Sequence, residues 1–183
     1  MALRATIFKL ELHVADMRRG YYGSHSLTLA RHPSETDERM MLRVLAFALY
    51  ADEQLAFTRG LSATDEPALW QKDLTGDIRC WIELGHPEER RLLQAAGKSD
   101  AVVVLCYGGH ASQVWWRGVR DAAARIARLT VLAIDPADAR ALGAFAQRAM
   151  TLHVSVDEDA VLVSSDTDSL ALHIEDWSPG QAE

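Results

Sequence analysis

Apolar and polar residues alternate at the start of the chain. Leu3, Ala5 and Ile7 share one parity, and Thr6, Phe8, Leu10, Leu12 and Val14 share the other, which predicts a strand with side chains on opposite faces. A turn through Met17 to Gly23 leads to a second predicted strand, Ser26 to His32, and the two are expected to pair as a hairpin. The period then becomes helical. Met41, Val44, Leu45 and Ala48 form one stripe and Leu42, Leu45 and Leu49 an adjacent one, so this helix should be covered by more than one neighbour. Ser34 is the expected N-cap, with Glu35, Asp37 and Glu38 loading the first turn with acids. Glu38 stands at the amino end of the Leu42–Leu45–Leu49 line, toward the interior edge, where a carboxylate needs a partner, a cation or water.

A short strand is predicted from Leu55 to Leu61, followed by a hairpin of Ala68 to Asp73 and Ile78 to Leu84 around Leu74-Thr75-Gly76-Asp77. In its second strand Ile78, Cys80, Ile82 and Leu84 form an apolar face, opposite Arg79, Trp81 and Glu83. Two registers are open. A two-residue turn sets Glu83 opposite Ala68 and Trp81 opposite Trp70, whereas a three-residue loop with Gly76 left-handed slides Glu83 to Pro67. A helix should start at His86-Pro87-Glu88-Glu89 and stop near Gly97, before the apolar strand Ala101 to Tyr107. Strand, helix and strand in this order predict a parallel pair with a right-handed crossover.

Helix is predicted again from Ala111 to Leu129, where the adjacent Trp115 and Trp116 diverge and at least one should enter the core. Thr130 to Ile134 reads as a strand, and Asp135-Pro136 opens a helix expected to reach Ala149. Strands Thr151 to Val156, Ala160 to Ser164 and Ser169 to Ile174 follow, linked by Asp-rich turns that lack the ligand spacing of a calcium loop. The sum is an α/β chain.

The chain has 183 residues, of which 49% are hydrophobic. That suits a single domain spanning residues 1–183 with one substantial core. No apolar run is long enough to span a bilayer and the first segment alternates, so a cytoplasmic protein without membrane association is expected. Cys80 and Cys106 each sit in an apolar strand and read as small buried residues. Nucleotide-loop, dinucleotide, serine-hydrolase and zinc-protease motifs are all missing.

A net charge of −7 argues against strong nonspecific attraction to nucleic acid. A local basic surface remains open, because Arg117, Arg120, Arg125 and Arg128 would gather on one broad side of a helix. The candidate chemistry lies elsewhere: Asp65 and Glu66 enter the central hairpin close to Glu83. Converging carboxylates repel unless water solvates them or a cation lies between them, and Mg²⁺ takes such oxygen ligands. Without a metal the same residues read as a solvated turn, with Glu83 paired to Arg79 or Lys72.

Helix, short strand, hairpin with an acid at its end, helix and apolar strand resemble the core of the PD-(D/E)XK nuclease-like superfamily. More closely, R-H-P-S-E-T-D-E-R-M-M (31–41), F-T-R-G-L (57–61), D-E-P with Trp70, W-I-E-L-G (81–85) and V-W-W (114–116) resemble the YaeQ family. The resemblance implies a mixed sheet of restriction-endonuclease-like type flanked by helices, with additional N- and C-terminal β-strands. Together with the acid cluster, that fold resemblance raises the expectation of a Mg²⁺-dependent phosphodiesterase acting on nucleic acid. On that pattern Glu83 is the second acid, while Ala68 and Gly85 stand where the first acid and the lysine belong. Asp65 or Glu66 would replace the first acid, Lys72 the lysine, and Glu38 would be a further acid near Mg²⁺. The alternative expectation is an inactive scaffold that binds nucleic acid or a protein.

Overall fold

In the computed structural model, which describes residues 3–180, the first hairpin is long and regular. Strand β1 (Thr6–Asp16) pairs antiparallel with β2 (Tyr21–Arg31), Leu10 opposite Leu27. The connection is only Met17 to Gly20, shorter than expected, with Gly20 supplying the positive φ of 63°. Helix α1 (Asp37–Leu49) is buried continuously from Met40 to Leu49, as its double stripe predicts, and it packs on β1 and β2. The cap differs from expectation. Thr36 is the N-cap, its hydroxyl accepting from the Arg39 amide at 3.1 Å, while Ser34 is drawn away by His32 Nδ1 at 2.6 Å. Glu38 is half-buried, and the buried acid of this segment is Glu35. Glu35 receives Arg43 Nε and Nη2 at 2.8 and 2.7 Å and Arg39 at 2.9 Å.

The chain divides into two compact units, one reaching to Ala51 and taking in Ala137–His173, the other Asp52–Pro136 and the segment from Ile174. Each contains a mixed sheet, and four α-helices lie among the described residues. In the first unit, β8 (Ala149–Val156) runs parallel to β1, and β9 (Val161–Ser164) and β10 (Ser169–Leu172) extend the sheet antiparallel, in the order β10-β9-β8-β1-β2. Phe8, Leu10, Leu12 and Val14 of β1, with Met150, Leu152, Val154 and Val156 of β8, form its buried face. Between β8 and β9 the Asp157 carboxylate caps the amides of Asp159 and Ala160, an aspartate turn as expected.

The second sheet has the order β11-β7-β6-β5-β4-β3. It contains β3 (Leu55–Phe57), β4 (Leu69–Lys72), β5 (Ile78–Leu84), β6 (Ser99–Cys106), β7 (Leu129–Ile134) and β11 (Ile174–Asp176). The first three are antiparallel, β5-β6-β7 are parallel as the crossover requires, and β11 closes the edge antiparallel to β7. Strand β3 is shorter than expected because Gly60–Ser62 forms a single 3-10 turn. Helix α2 (Glu89–Lys98) crosses from β5 to β6, and α3 (His110–Ala123) crosses from β6 to β7. α3 ends a turn and a half before the expected Leu129. α4 (Pro136–Gly143) stops before Ala149, because from that residue the side chains alternate in β8. The last predicted strand is divided at His173, whose amide donates to Asp138 at 2.7 Å, so its two halves serve different sheets.

Candidate functional site

The β4–β5 hairpin closes through Asp73. Its carboxylate accepts from the Thr75 hydroxyl at 2.7 Å and from the amides of Thr75 and Asp77 at 2.9 and 3.0 Å. Those donors, the Thr75 hydroxyl foremost, hold the Asp73 carboxyl down at about 2 against the opposing effect of desolvation. Gly76 has a φ of 93°, the left-handed residue of the longer loop. Trp70 nevertheless faces Trp81, the register expected of the shorter turn. A bulge reconciles the two: Gln71 pairs with Cys80 and Lys72 with Ile78, so Arg79 is the extra residue. Its guanidinium reaches Asp73 and, at 2.7 Å, Asp100.

Both faces of β5 are covered. Cys80, Ile82 and Leu84 are buried on one side, and Trp81 on the other is 1% exposed, packed with Leu92, Ala95, Val102 and Val104. Glu83 shares the Trp81 face, and its neighbours there are donors. Trp81 Nε1 reaches Glu83 Oε1 at 2.8 Å and Arg91 Nε reaches the same oxygen at 2.6 Å. The cation beside Glu83 is therefore Arg91 of α2, not Arg79 or Lys72. Arg91 also donates to the carbonyls of Thr64 and, at 2.7 Å, Glu66, and lies over the Trp81 ring at 5.3 Å. One guanidinium thus ties the loop entering the hairpin to the end of β5.

Glu66 binds Arg59, accepting from its Nη2 at 2.8 Å, its Nε at 3.1 Å and its amide at 3.0 Å. The Arg59 side chain holds the Glu66 carboxyl below its usual range. Asp65 is exposed. Lys72 lies 3.8 Å from the centre of the Trp70 ring, a cation–π contact. Glu38 belongs to the first unit. Among the described residues no group of three or more His, Cys, Asp or Glu side chains is gathered to hold a metal ion. Magnesium keeps several waters and takes one or two carboxylates, whereas here Glu83 Oε1 accepts from two protein donors and both oxygens of Glu66 accept from Arg59. The donor set does not fit the ion.

A second feature of this unit was only partly visible in the sequence. His86, Trp115, Trp116 and Trp177 form a ladder of rings with successive centroid separations of 5.6, 5.9 and 6.5 Å. His86 is exposed and the three indoles are half-buried on the rim of the core, so neither Trp115 nor Trp116 is interior. Trp115 Nε1 donates to Pro87 O at 2.7 Å and Trp177 Nε1 to Glu175 at 2.8 Å. His86 Nε2 contacts the buried Ser112 hydroxyl at 2.7 Å, and burial lowers the pKa of the imidazole. In this unit Arg90 and Lys98 of α2, Arg117 and Arg120 of α3, and Arg125 and Arg128 after it are exposed. None of the six has an ion-pair partner among the described residues. The shorter α3 carries only the first two of the four arginines expected on one helix.

Cys80 and Cys106 are buried thiols, each pushed up to about 11 by desolvation, so neither is a nucleophile at neutral pH. No helix of the described residues is long and apolar enough to cross a membrane.

The family model described as YaeQ protein matches residues 1–174. This chain belongs to the YaeQ family. A relative from Escherichia coli (strain K12) named Uncharacterized protein YaeQ is 44% identical over 177 residues, covering 97% of this chain and 98% of the relative. Its Salmonella typhi counterpart, with the same name, gives the same figures. The crystal structure of a YaeQ protein from Xanthomonas axonopodis pv. citri superposes with a TM-score of 0.92 at 47% identity, covering 95% of this chain and 98% of that one. A YaeQ structure from Pseudomonas syringae gives a TM-score of 0.91 at 35% identity, with 97% and 98% covered.

Proposed function

We propose that this YaeQ-family chain is a cytoplasmic, nuclease-like scaffold that binds nucleic acid without cutting it. The observation that carries the reading is the Arg91 guanidinium on Glu83: the acid best matched to the PD-(D/E)XK pattern already has its counter-cation. The sequence of antiparallel hairpin, helix and parallel strand supports the restriction-endonuclease-like comparison, while Ala68 and Gly85 occupy the positions of the first acid and the lysine. The remaining acids do not make a Mg²⁺ site. The binding half of the proposal rests on six cations of α2, α3 and the segment after it that have no ion-pair partner among the described residues, set against a chain of net charge −7.

Labelled single- and double-stranded DNA and RNA, run in mobility-shift gels in EDTA and in Mg²⁺, test this reading. Binding that survives chelation, with every substrate intact, is expected. Cleavage that requires Mg²⁺ and disappears in Glu83→Ala would establish the hydrolase instead.

A further inference from the structure

We infer that the strand this chain accepts is single, and that its bases stack on the exposed flanks of the Trp115–Trp116–Trp177 ladder while Arg117 and Arg120 meet its phosphates. The inference rests on the nucleic-acid reading above and specifies its ligand. Trp81, packed in the core with its indole N–H on Glu83, is 1% exposed. The three ladder indoles are half-buried, successive rings of the ladder are tilted by 30°, 42° and 32°, and His86 is exposed at one end. A duplex hides the faces of its bases, whereas a single strand offers each of them to an aromatic ring. Centroids no more than 6.5 Å apart mean that the rings already touch one another. Bases are therefore received on the ring surface left open to solvent and not between the ladder's members.

Trp116 is the centre of the surface. The indole N–H groups of Trp115 and Trp177 are consumed by Pro87 and Glu175, but that of Trp116 has no acceptor among the described residues and is not sealed from solvent. It is free to donate to a base carbonyl or a phosphate oxygen. Arg120 follows Trp116 by one helical turn on the same side of α3, and Arg117 is the next residue along. Glu175, at the Trp177 end, repels phosphate and directs the backbone toward these arginines.

Intrinsic tryptophan fluorescence of the full chain, titrated at low salt with oligo(dT), oligo(rU) and a blunt duplex of equal length, reads stacking directly. The single strands should quench emission saturably and bind more tightly than the duplex, the two oligonucleotides together showing whether sugar identity matters. Trp116→Ala should weaken binding by about tenfold, with Trp116→Phe retaining most of it. The double variant Arg117→Glu, Arg120→Glu, which touches no core contact, should weaken binding and flatten its salt dependence. Duplex binding as tight as single-strand binding, or full affinity in Trp116→Ala or the arginine variant, overturns the inference and leaves the scaffold reading intact. If Trp116→Ala fails to fold, Trp116→Phe and the arginine pair decide it. Failure of every nucleic acid to bind removes the scaffold reading as well.

Discussion

Arginine supplies the donors that buried or half-buried carboxylates require in four places: Asp16 with Arg18 and Arg19, Glu35 with Arg39 and Arg43, Glu66 with Arg59, and Glu83 with Arg91. Asp16 gives the arrangement a measurable consequence. Burial of its carboxyl would raise the pKa, but hydrogen bonds from Arg18 and Arg19 outweigh that and bring it to about 2. A folded pKa below the unfolded one means that the unfolded chain takes up the proton first as pH falls. The stabilisation, on the order of 2 kcal/mol, is complete above roughly pH 4 and lost as pH falls toward 2. Urea unfolding across acid pH should show that loss, and Asp16→Asn should be less stable at neutral pH with a shallower decline. The sequence made the acids visible but not these partners. Glu35 reads as a first-turn acid for the helix dipole, and its burial depends on Arg43, two turns into α1. Arg91 meets Glu83 across a loop and a change from strand to helix, a separation that no period encodes.

Local patterns locate elements better than they locate ends. Strand β5 has the predicted bounds, and α1, α2, β6 and β7 lie within a few residues of them, because each is governed by its own periodicity and neighbouring turn residues. The misplaced ends have tertiary causes. The helix that opens at Pro136 gives way because β8 pairs in parallel with β1, a partner more than a hundred residues earlier in the chain. The hairpin register required a bulge at Arg79, which composition alone does not signal. At α1 the choice of cap can be tested cleanly. Thr36→Ala should cost about 1 kcal/mol in denaturant unfolding, whereas Ser34→Ala should change stability by only a few tenths of that, the opposite order marking Ser34 as the cap.

For the molecule as a whole, strand order was legible only where it is local. The parallel run β5-β6-β7 follows from alternating strands and helices, but the return of the chain from β7 to a strand beside β1, and then to β11, depends on contacts distant in sequence. Each of two compact units carries its own sheet. Of the candidate site, the hairpin and its acids could be read from the chain, while the arginine closure of Glu83 and the four-ring ladder required side-chain geometry. The central proposal is that protein cations, and not a metal, balance the acids around the β4–β5 hairpin. Titration calorimetry with Mn²⁺ tests it most directly, comparing the parent chain with Glu83→Ala. The account predicts no heat of binding that depends on Glu83; stoichiometric Mn²⁺ binding by the parent that vanishes in the variant would contradict it.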